Sequence, residues 1–433
     1  MAPAPQPRLF YGWVIVAIAF VTIGVAVSAR TGYSLLFPEI IEEFGWSSSL
    51  SVGPFAVGFL ASTAFLPVVA WLMARGGPRL TIPVGGALVA LGFLAARWVT
   101  TPLELYLAFG LLAVNGSMAM SYIGHSMFLP NWFVRNRGLA VGVAFAGVGV
   151  LGAGLLPALQ WAIDTQGWRT ACLWVAGVVA VAVIPLNALF QRARPEDRGL
   201  RPDGDAAPRP GGPAPVEAVV DRAWADTDWT LGRALRTRRF WLIALAYFCG
   251  LFVWYALQVH HTRHLLQAGF DGETTAAALG LIALGSVAGQ IGLGALSDRL
   301  GRELAWSLAL LGFAGASALM LAITRPDPAL LWTMVAVQGL IGQGFAALFG
   351  AIPAEVFAGK RFPAIFSAIS LIANMGAAAG VFGLGWLFDL NGDYAAGFRI
   401  CVALSLLSIA LMWLAAPRKV RLVAGVARRR AAA

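Results

Sequence analysis

Charge is what this sequence most lacks. Only 12% of its 433 residues are Asp, Glu, Lys or Arg, about half the share usual in soluble proteins. That scarcity, with 59% hydrophobic residues, excludes an ordinary soluble domain. Cysteine is almost as scarce. Cys172, Cys249 and Cys401 all fall inside apolar stretches, which excludes a disulfide framework. Acidic residues are missing from the middle of every long apolar stretch. A catalytic pair of carboxylates at membrane depth is therefore excluded, and no Ser with a His base stands in its place.

What is present is a series of apolar runs, each near the roughly 20 residues that cross a bilayer as a helix. Twelve can be marked, at about 10–36, 49–74, 79–99, 103–129, 138–162, 169–190, 239–259, 274–296, 304–323, 329–352, 363–387 and 396–416. Val27-Ser28-Ala29 resembles a signal-peptidase site, but the first run is too long for a signal peptide and eleven more follow it. Tyr11 and Trp13 read as interfacial anchors of that run.

The net charge of +10 would suit nucleic acid, but its distribution does not. Counting loops from an inner N-terminus, 25 of the 31 Lys and Arg fall on the inner side and five on the outer, with Arg30 inside a run. Such a bias places both termini in the cytoplasm and points to a lipid bilayer, not nucleic acid, as the partner. In a bacterium this is the inner membrane. Arg428, Arg429 and Arg430 form a basic tail after 416, solvated or lying against anionic lipid.

The Pro-, Gly- and charge-rich segment 191–235 reads as a cytoplasmic linker, partly disordered. It divides the chain into a six-helix half, 1–190, a second half, 236–416, and a tail, 417–433. The halves look duplicated. "GALSDRLGR" from Gly294 has a damaged copy in "AWLMARGGPR" from Ala70, with Gly301 and Gly77 224 residues apart. "RGLA" at Arg137 and "RFPA" at Arg361 repeat that offset, and "GWR" at Gly167 meets "GFR" at Gly397 at 230. A repeat of six helices, an even number, gives parallel repeats about an axis along the membrane normal. The expected fold is an all-α polytopic membrane protein of twelve transmembrane helices.

The hinge resembles the signature G-x-L-x-D-R-x-G-R of the major facilitator superfamily. That resemblance implies alternating access, with Asp298, Arg299, Gly301 and Arg302 latching the cytoplasmic side. An Asp near a helix start satisfies its free N–H groups and its positive dipole end, so Asp298 is expected to face Gly138, within reach of Arg135 or Arg137. Ala74 replaces Asp298 in the other copy, so the latch is expected on one side only. Closely spaced glycines, Gly142, Gly147, Gly149, Gly152 and Gly154 in span five, Gly285 and Gly289 in span eight and Gly376 and Gly380 in span eleven, suit the rocking contacts of five on eight and two on eleven.

"NWFVRNRGLAVGVAFAGVGV" from Asn131, "GWVIVAIAF" in span one and Phe37-Pro38-Glu39-Ile40 resemble the monocarboxylate transporter family, and "RPEDRGLRPDGD" resembles a loop of its bacterial members. The departures matter as much. Where animal members carry a span-eight Arg that grips the carboxylate, with an Asp one turn earlier for the proton, this chain has Gln290 and Ser286. The span-eleven Lys of the family's oxalate–formate exchanger has no counterpart.

Arg30 is the only permanently charged residue within a run. An intramembrane Arg costs at least ~2.5 kcal/mol and marks a pathway. Asn115, Tyr122 and His125 in span four share one helical face, and Tyr247, Trp254, Gln258 and His261 in span seven a similar one, forming converging polar stripes. Gln290, Gln338 and Asn374 add further candidates for substrate contact. His125 and His261 are candidates for a proton site or gate. His260 and His264, four apart, could share a metal, but no third ligand stands out, so neither metal nor cofactor is expected. The expected function is transport of a small organic anion, a monocarboxylate, by a monomer, with a proton or counter-anion as coupling partner. Transport of another small molecule on the same fold is the alternative, and a polytopic membrane enzyme a remote one.

Overall fold

The computed structural model describes residues 10–46, 48–205 and 218–432. Inside a bilayer every backbone polar group must be satisfied within its own segment, and this chain answers with long helices. Eleven are long and apolar enough to cross a membrane, and Ser48–Gly76 supplies the twelfth. In chain order the others are span one Tyr11–Phe44, three Pro78–Ala96, four Pro102–Asn131, five Arg137–Gln166, six Trp168–Phe190, seven Arg238–Gln267, eight Gly272–Leu300, nine Arg302–Ala322, ten Pro328–Val356, eleven Phe362–Asn391 and twelve Ala395–Lys419. Span one runs eight residues beyond its apolar stretch, through Pro38, and ends where Gly45 turns left-handed at φ 63°. Hydropathy marks the membrane boundary, whereas the helix ends only at a residue able to reverse it.

The hinge glycines do the same work in both halves. Gly77 alone separates span two from span three at φ 61°, and Gly301 alone separates eight from nine at φ 122°. Only glycine takes such a backbone without strain.

Span five lies along span eight and span two against span eleven, so the halves meet on two helix pairs. The glycines at those contacts are not all the expected ones. A Cβ on Gly142 would come within 2.3 Å of the Gln290 carbonyl oxygen, and one on Gly138 within 2.3 Å of the Gly294 carbonyl oxygen. Gly285 and Gly289 instead meet Gly339 and Leu340 of span ten, while Gly376 and Gly380 meet the Phe248 and Phe252 carbonyls of span seven. Those four glycines bind helices within the second half and are not rocking surfaces. Spacing marks a helix for close approach, but only the fold chooses the neighbour.

Spans four and ten are both broken. Span four is π-helical over Tyr106–Val114 and breaks at Ser121, which is extended at ψ −154°. Span ten is π-helical over Val337–Ile341 and tightens to a 3₁₀ turn over Gly342–Gly344. The broken spans touch where a Cβ on Gly350 would lie 2.7 Å from the Ser126 hydroxyl oxygen. These two positions share the 224-residue offset of the hinge copies. A position that meets its own counterpart lies on the axis relating two copies, so the contact agrees with the repeat read from the hinge.

The linker is fastened at each end. Asp203 accepts the backbone N–H groups of Val134 and Arg135 at 3.0 and 2.9 Å, in the span four–five loop. Beyond 217 the Trp224 indole donates to the Val356 carbonyl at 2.8 Å, and the Trp229 ring meets Phe357 at 5.2 Å. Its Pro- and Gly-rich centre, 206–217, lies outside the described residues.

Candidate functional site: a central polar site and a cytoplasmic latch

The latch is built on Asp298, at the end of span eight. Its two carboxylate oxygens accept the backbone N–H groups of Gly138 and Leu139, both at 2.9 Å. These are free donors of the first turn of span five, where the helix dipole also favours an anion. Arg302, 2% exposed, pairs with Asp298 at 2.8 Å and with Glu355 of span ten at 2.7 Å. It also donates to the Ser297 hydroxyl. Arg137 of the first half completes the set, pairing with Glu355 at 3.4 Å and donating from Nε to the Pro130 and Phe133 carbonyls. Two cations and two carboxylates thus bridge the halves in a buried cluster.

This differs from the expected latch in three members. Arg137 serves Glu355 rather than Asp298. Arg135 turns outward to the linker, pairing with Asp205 at 2.5 Å and Asp203 at 3.8 Å. Arg299 is exposed, and only its carbonyl is engaged, by Arg429 at 2.6 Å. Glu355, just past the tenth apolar run, is the member missed from sequence. It looks like any loop acid until the helix carries it back among the arginines.

The other hinge copy has nothing comparable. Ala74 is exposed, the Arg75 guanidinium stacks on Trp71 at 4.4 Å, and Arg79 donates to the Ala188 carbonyl at 2.7 Å. At the position matching Glu355 stands Asn131, whose amide goes to the Ala193 carbonyl. Arg361, matching Arg137, faces the linker's Asp228 at 4.0 Å. With both carboxylates gone, that pair of positions has no charge with which to hold the halves.

Close approach at the latch makes a specific demand on Gly138. A Cβ there would meet the Gly294 carbonyl oxygen and the Ser297 hydroxyl at 2.3 Å, and Arg302 at 2.7 Å. Gly138→Val is expected to prop spans five and eight apart. A cysteine placed at Ser126, fully buried here, should then react with a maleimide from the cytoplasmic side about tenfold faster or more, since over-packing costs ~1–3 kcal/mol. Unchanged labelling would show that the contact does not hold the side closed.

Toward the membrane centre, Arg30 of span one is half-buried, with its guanidinium 3.7 Å from the Met118 sulfur of span four. It lines a small cavity with Ala29, Tyr33, Phe93, Phe109, Ala113 and Val114. The Tyr122 hydroxyl of span four lies within electrostatic reach of Arg30 and of the Tyr255 hydroxyl of span seven. Tyr122 is thus coupled electrostatically to a group in each half. Trp254 is half-buried beside Tyr255, their rings 6.5 Å apart, and Gln258 one turn on is exposed. Tyr255 was not among the residues expected from sequence. A tyrosine next to a tryptophan in an apolar run carries no periodic mark of its own.

The remaining candidates lie in the packing. Tyr247 is fully buried, and its hydroxyl donates toward the Leu348 and Phe349 carbonyls of span ten at 3.2 and 2.9 Å. Asn115 is buried, donating to the Gly110 and Leu111 carbonyls of its own helix. Both tie off backbone carbonyls at irregular helix segments, and the Asn115 Oδ1 is buried without a partner. The break at Ser121 also ends the single face on which Asn115, Tyr122 and His125 were expected. His125 is fully buried, its Nδ1 3.2 Å from the Ser121 carbonyl. His261 and Gln338 bond each other at 2.7 Å, both buried. Gln290 is buried on span eight with its Oε1 unpartnered, and Asn374 on span eleven has its Nδ2 unpartnered. His260 and His264 go to Tyr394 and the Met320 carbonyl, and no cluster suited to a metal ion occurs among the described residues.

Two six-helix halves that close on each other through a latch on one side define a membrane transporter, not an enzyme. The model of the Major Facilitator Superfamily matches residues 16–335 and 267–431. Human monocarboxylate transporter 11 is 32% identical over 436 residues, covering 96% of this chain and 85% of the relative, and the mouse protein of that name is 30% identical over 426, covering 96% and 90%. Rat monocarboxylate transporter 13 is 27% identical over 397 residues, covering 91% and 86%. The chain belongs to the monocarboxylate transporter family of the major facilitator superfamily. Its fold matches the E. coli fucose:proton symporter with a TM-score of 0.69, covering 94% of this chain and 100% of that one, and a proton:xylose symporter with 0.71, covering 93% and 95%. At 12% identity these two likenesses concern the fold alone.

Proposed function

We propose that the protein moves small organic anions, specifically monocarboxylates, across the bacterial inner membrane by alternating access. The observation that supports this is Arg30. It is the single permanent charge inside an apolar run, and Tyr122 of span four is coupled electrostatically both to it and to the second half's Tyr255. A carboxylate at this position gains a charge-assisted hydrogen bond from the guanidinium and hydroxyl donors from both halves, so its binding favours their approach. Gln258 and Trp254 stand on the neighbouring face of span seven as further contacts. Gln290, Gln338 and Asn374 keep buried polar atoms that a substrate could satisfy as the halves move. With no acid among them, a coupled proton uses His125 or His261 or arrives on the substrate itself, and a counter-anion is the other coupling partner.

A thermal-shift screen of the purified protein against small carboxylates at two pH values tests the reading. A substrate at 100 times its Kd stabilises by ~2.7 kcal/mol. Carboxylates are therefore expected to raise the melting temperature in a saturable way, and their uncharged amides are expected to leave it unchanged. A screen in which amides work as well as acids would remove the anion from the proposal.

A further inference from the structure

Glu355 has two claims on it that the latch does not use. Its Oε1 takes both arginines, Arg302 and Arg137, while its Oε2 is buried without a partner. Nearby, Arg421 of the tail has its Nε buried without a partner. The tail is held firmly around this residue. Leu422 donates to the Ala218 carbonyl at 2.7 Å and Val220 to the Val420 carbonyl at 2.9 Å, with Val219 and Arg421 in an antiparallel bridge. Arg418 donates from its backbone and side chain to Glu303 at 2.8 and 3.3 Å. Gly425 fits so closely that a Cβ would lie 2.5 Å from the Arg299 carbonyl oxygen. Residues 417–419 pack on the helix Ala351–Val356 that carries Glu355.

The charges then count unevenly. With the cytoplasmic side closed, Arg137, Arg302 and Arg421 face Asp298 and Glu355, three cations to two anions. Arg137 feels attraction from Glu355 and Asp298 and repulsion from Arg302 and Arg421. Arg137 belongs to the first half and the other four groups to the second. When the halves part on this side Arg137 leaves, and the second half keeps two cations and two carboxylates. Losing one partner of a buried ion pair is normally costly because the remaining charge is stranded.

We propose that Glu355 changes partner during the transport cycle. It pairs with Arg137 across the halves when the cytoplasmic side is closed, and with Arg421 of the tail when that side opens. Arg421 acts as a positioning residue that compensates the stranded carboxylate and repels Arg137 in the closed state, so the tail promotes opening. This is independent of the substrate proposed above, since it concerns only the latch.

The test uses the full-length protein in proteoliposomes, with Cys172, Cys249 and Cys401 replaced by Ala and a single cysteine at Ser126. Arg421→Ala is expected to slow cytoplasmic-side maleimide labelling of that cysteine by about three- to tenfold. Arg421→Lys, which keeps the charge, is expected to label at the parent rate. A purely structural role for Arg421 would loosen the closed side and speed labelling, which overturns the proposal, as does an unchanged rate. Gly425→Leu, designed to lift the tail from Arg299, removes Arg421 by another route. It is expected to slow labelling in the same way, with faster or unchanged labelling again against the exchange.

Discussion

Arg30→Ala is expected to lower carboxylate uptake into proteoliposomes ~30-fold or more at equal reconstituted amounts. Removing one partner of a buried charge pair costs ~2–5 kcal/mol, largely because the other charge is left in a poor environment. The lower end applies here because Arg30 is half-exposed. The remaining tyrosines, Tyr122 and Tyr255, are donors without charge and cannot make up the loss. Arg30→Lys keeps the charge but loses the fork that holds a carboxylate by two bonds, so an intermediate rate is expected. Radiolabelled uptake and counterflow measure the effect. Undiminished uptake in Arg30→Ala would place the anion site elsewhere. The melting temperature recorded without substrate separates loss of transport from loss of fold.

The second large effect is expected at the latch. Arg302→Ala strands Asp298 and Glu355, and breaking a buried pair by removing one partner costs ~3–5 kcal/mol. The variant is expected to melt well below the parent in detergent. Replacing both partners by apolar residues of similar volume is often neutral, so Arg302→Met combined with Glu355→Leu should recover part of the lost stability, the remainder staying lost because Arg137 then has no carboxylate. Asp298 would keep its two backbone donors at the start of span five. A double variant as unstable as the single one would mean that Arg302 acts by packing rather than by charge. Melting followed by fluorescence-detected gel filtration distinguishes the two outcomes.

The latch also explains why its halves differ. By the 224-residue offset, Asp298, Glu355 and Arg137 correspond to Ala74, Asn131 and Arg361. One set is buried and bonded, whereas the other has no carboxylate and its arginine faces the linker. The cytoplasmic closure is thus charged along spans five and eight, whereas the matching positions at spans two and eleven supply no carboxylate.

Much of this was legible from the residues in order. A bilayer compels helices wherever twenty apolar residues run together, because an unpaired backbone group in lipid is too costly. The twelve spans, their sidedness and the duplication therefore follow from hydropathy, Lys and Arg counts and spacing, all local quantities. Asp298 facing the start of span five also follows, since the repeat and the free helix-end donors specify it together. The partners of the other charges do not. Arg137 going to Glu355, Arg135 to the linker and Arg421 to the latch depend on which helix ends meet at one depth, and hydropathy is blind to that. The same holds for Tyr122 coupling to Arg30 while Asn115 and His125 bond backbone carbonyls. A break at Ser121 shifts the helical phase there. The order of the residues determined that the chain is a two-half transporter with one permanent cation inside an apolar run. Only the tertiary structure decided which groups face that cation and which hold the cytoplasmic side shut, because both depend mainly on contacts between residues on different helices, from about fifty to more than a hundred and fifty positions apart.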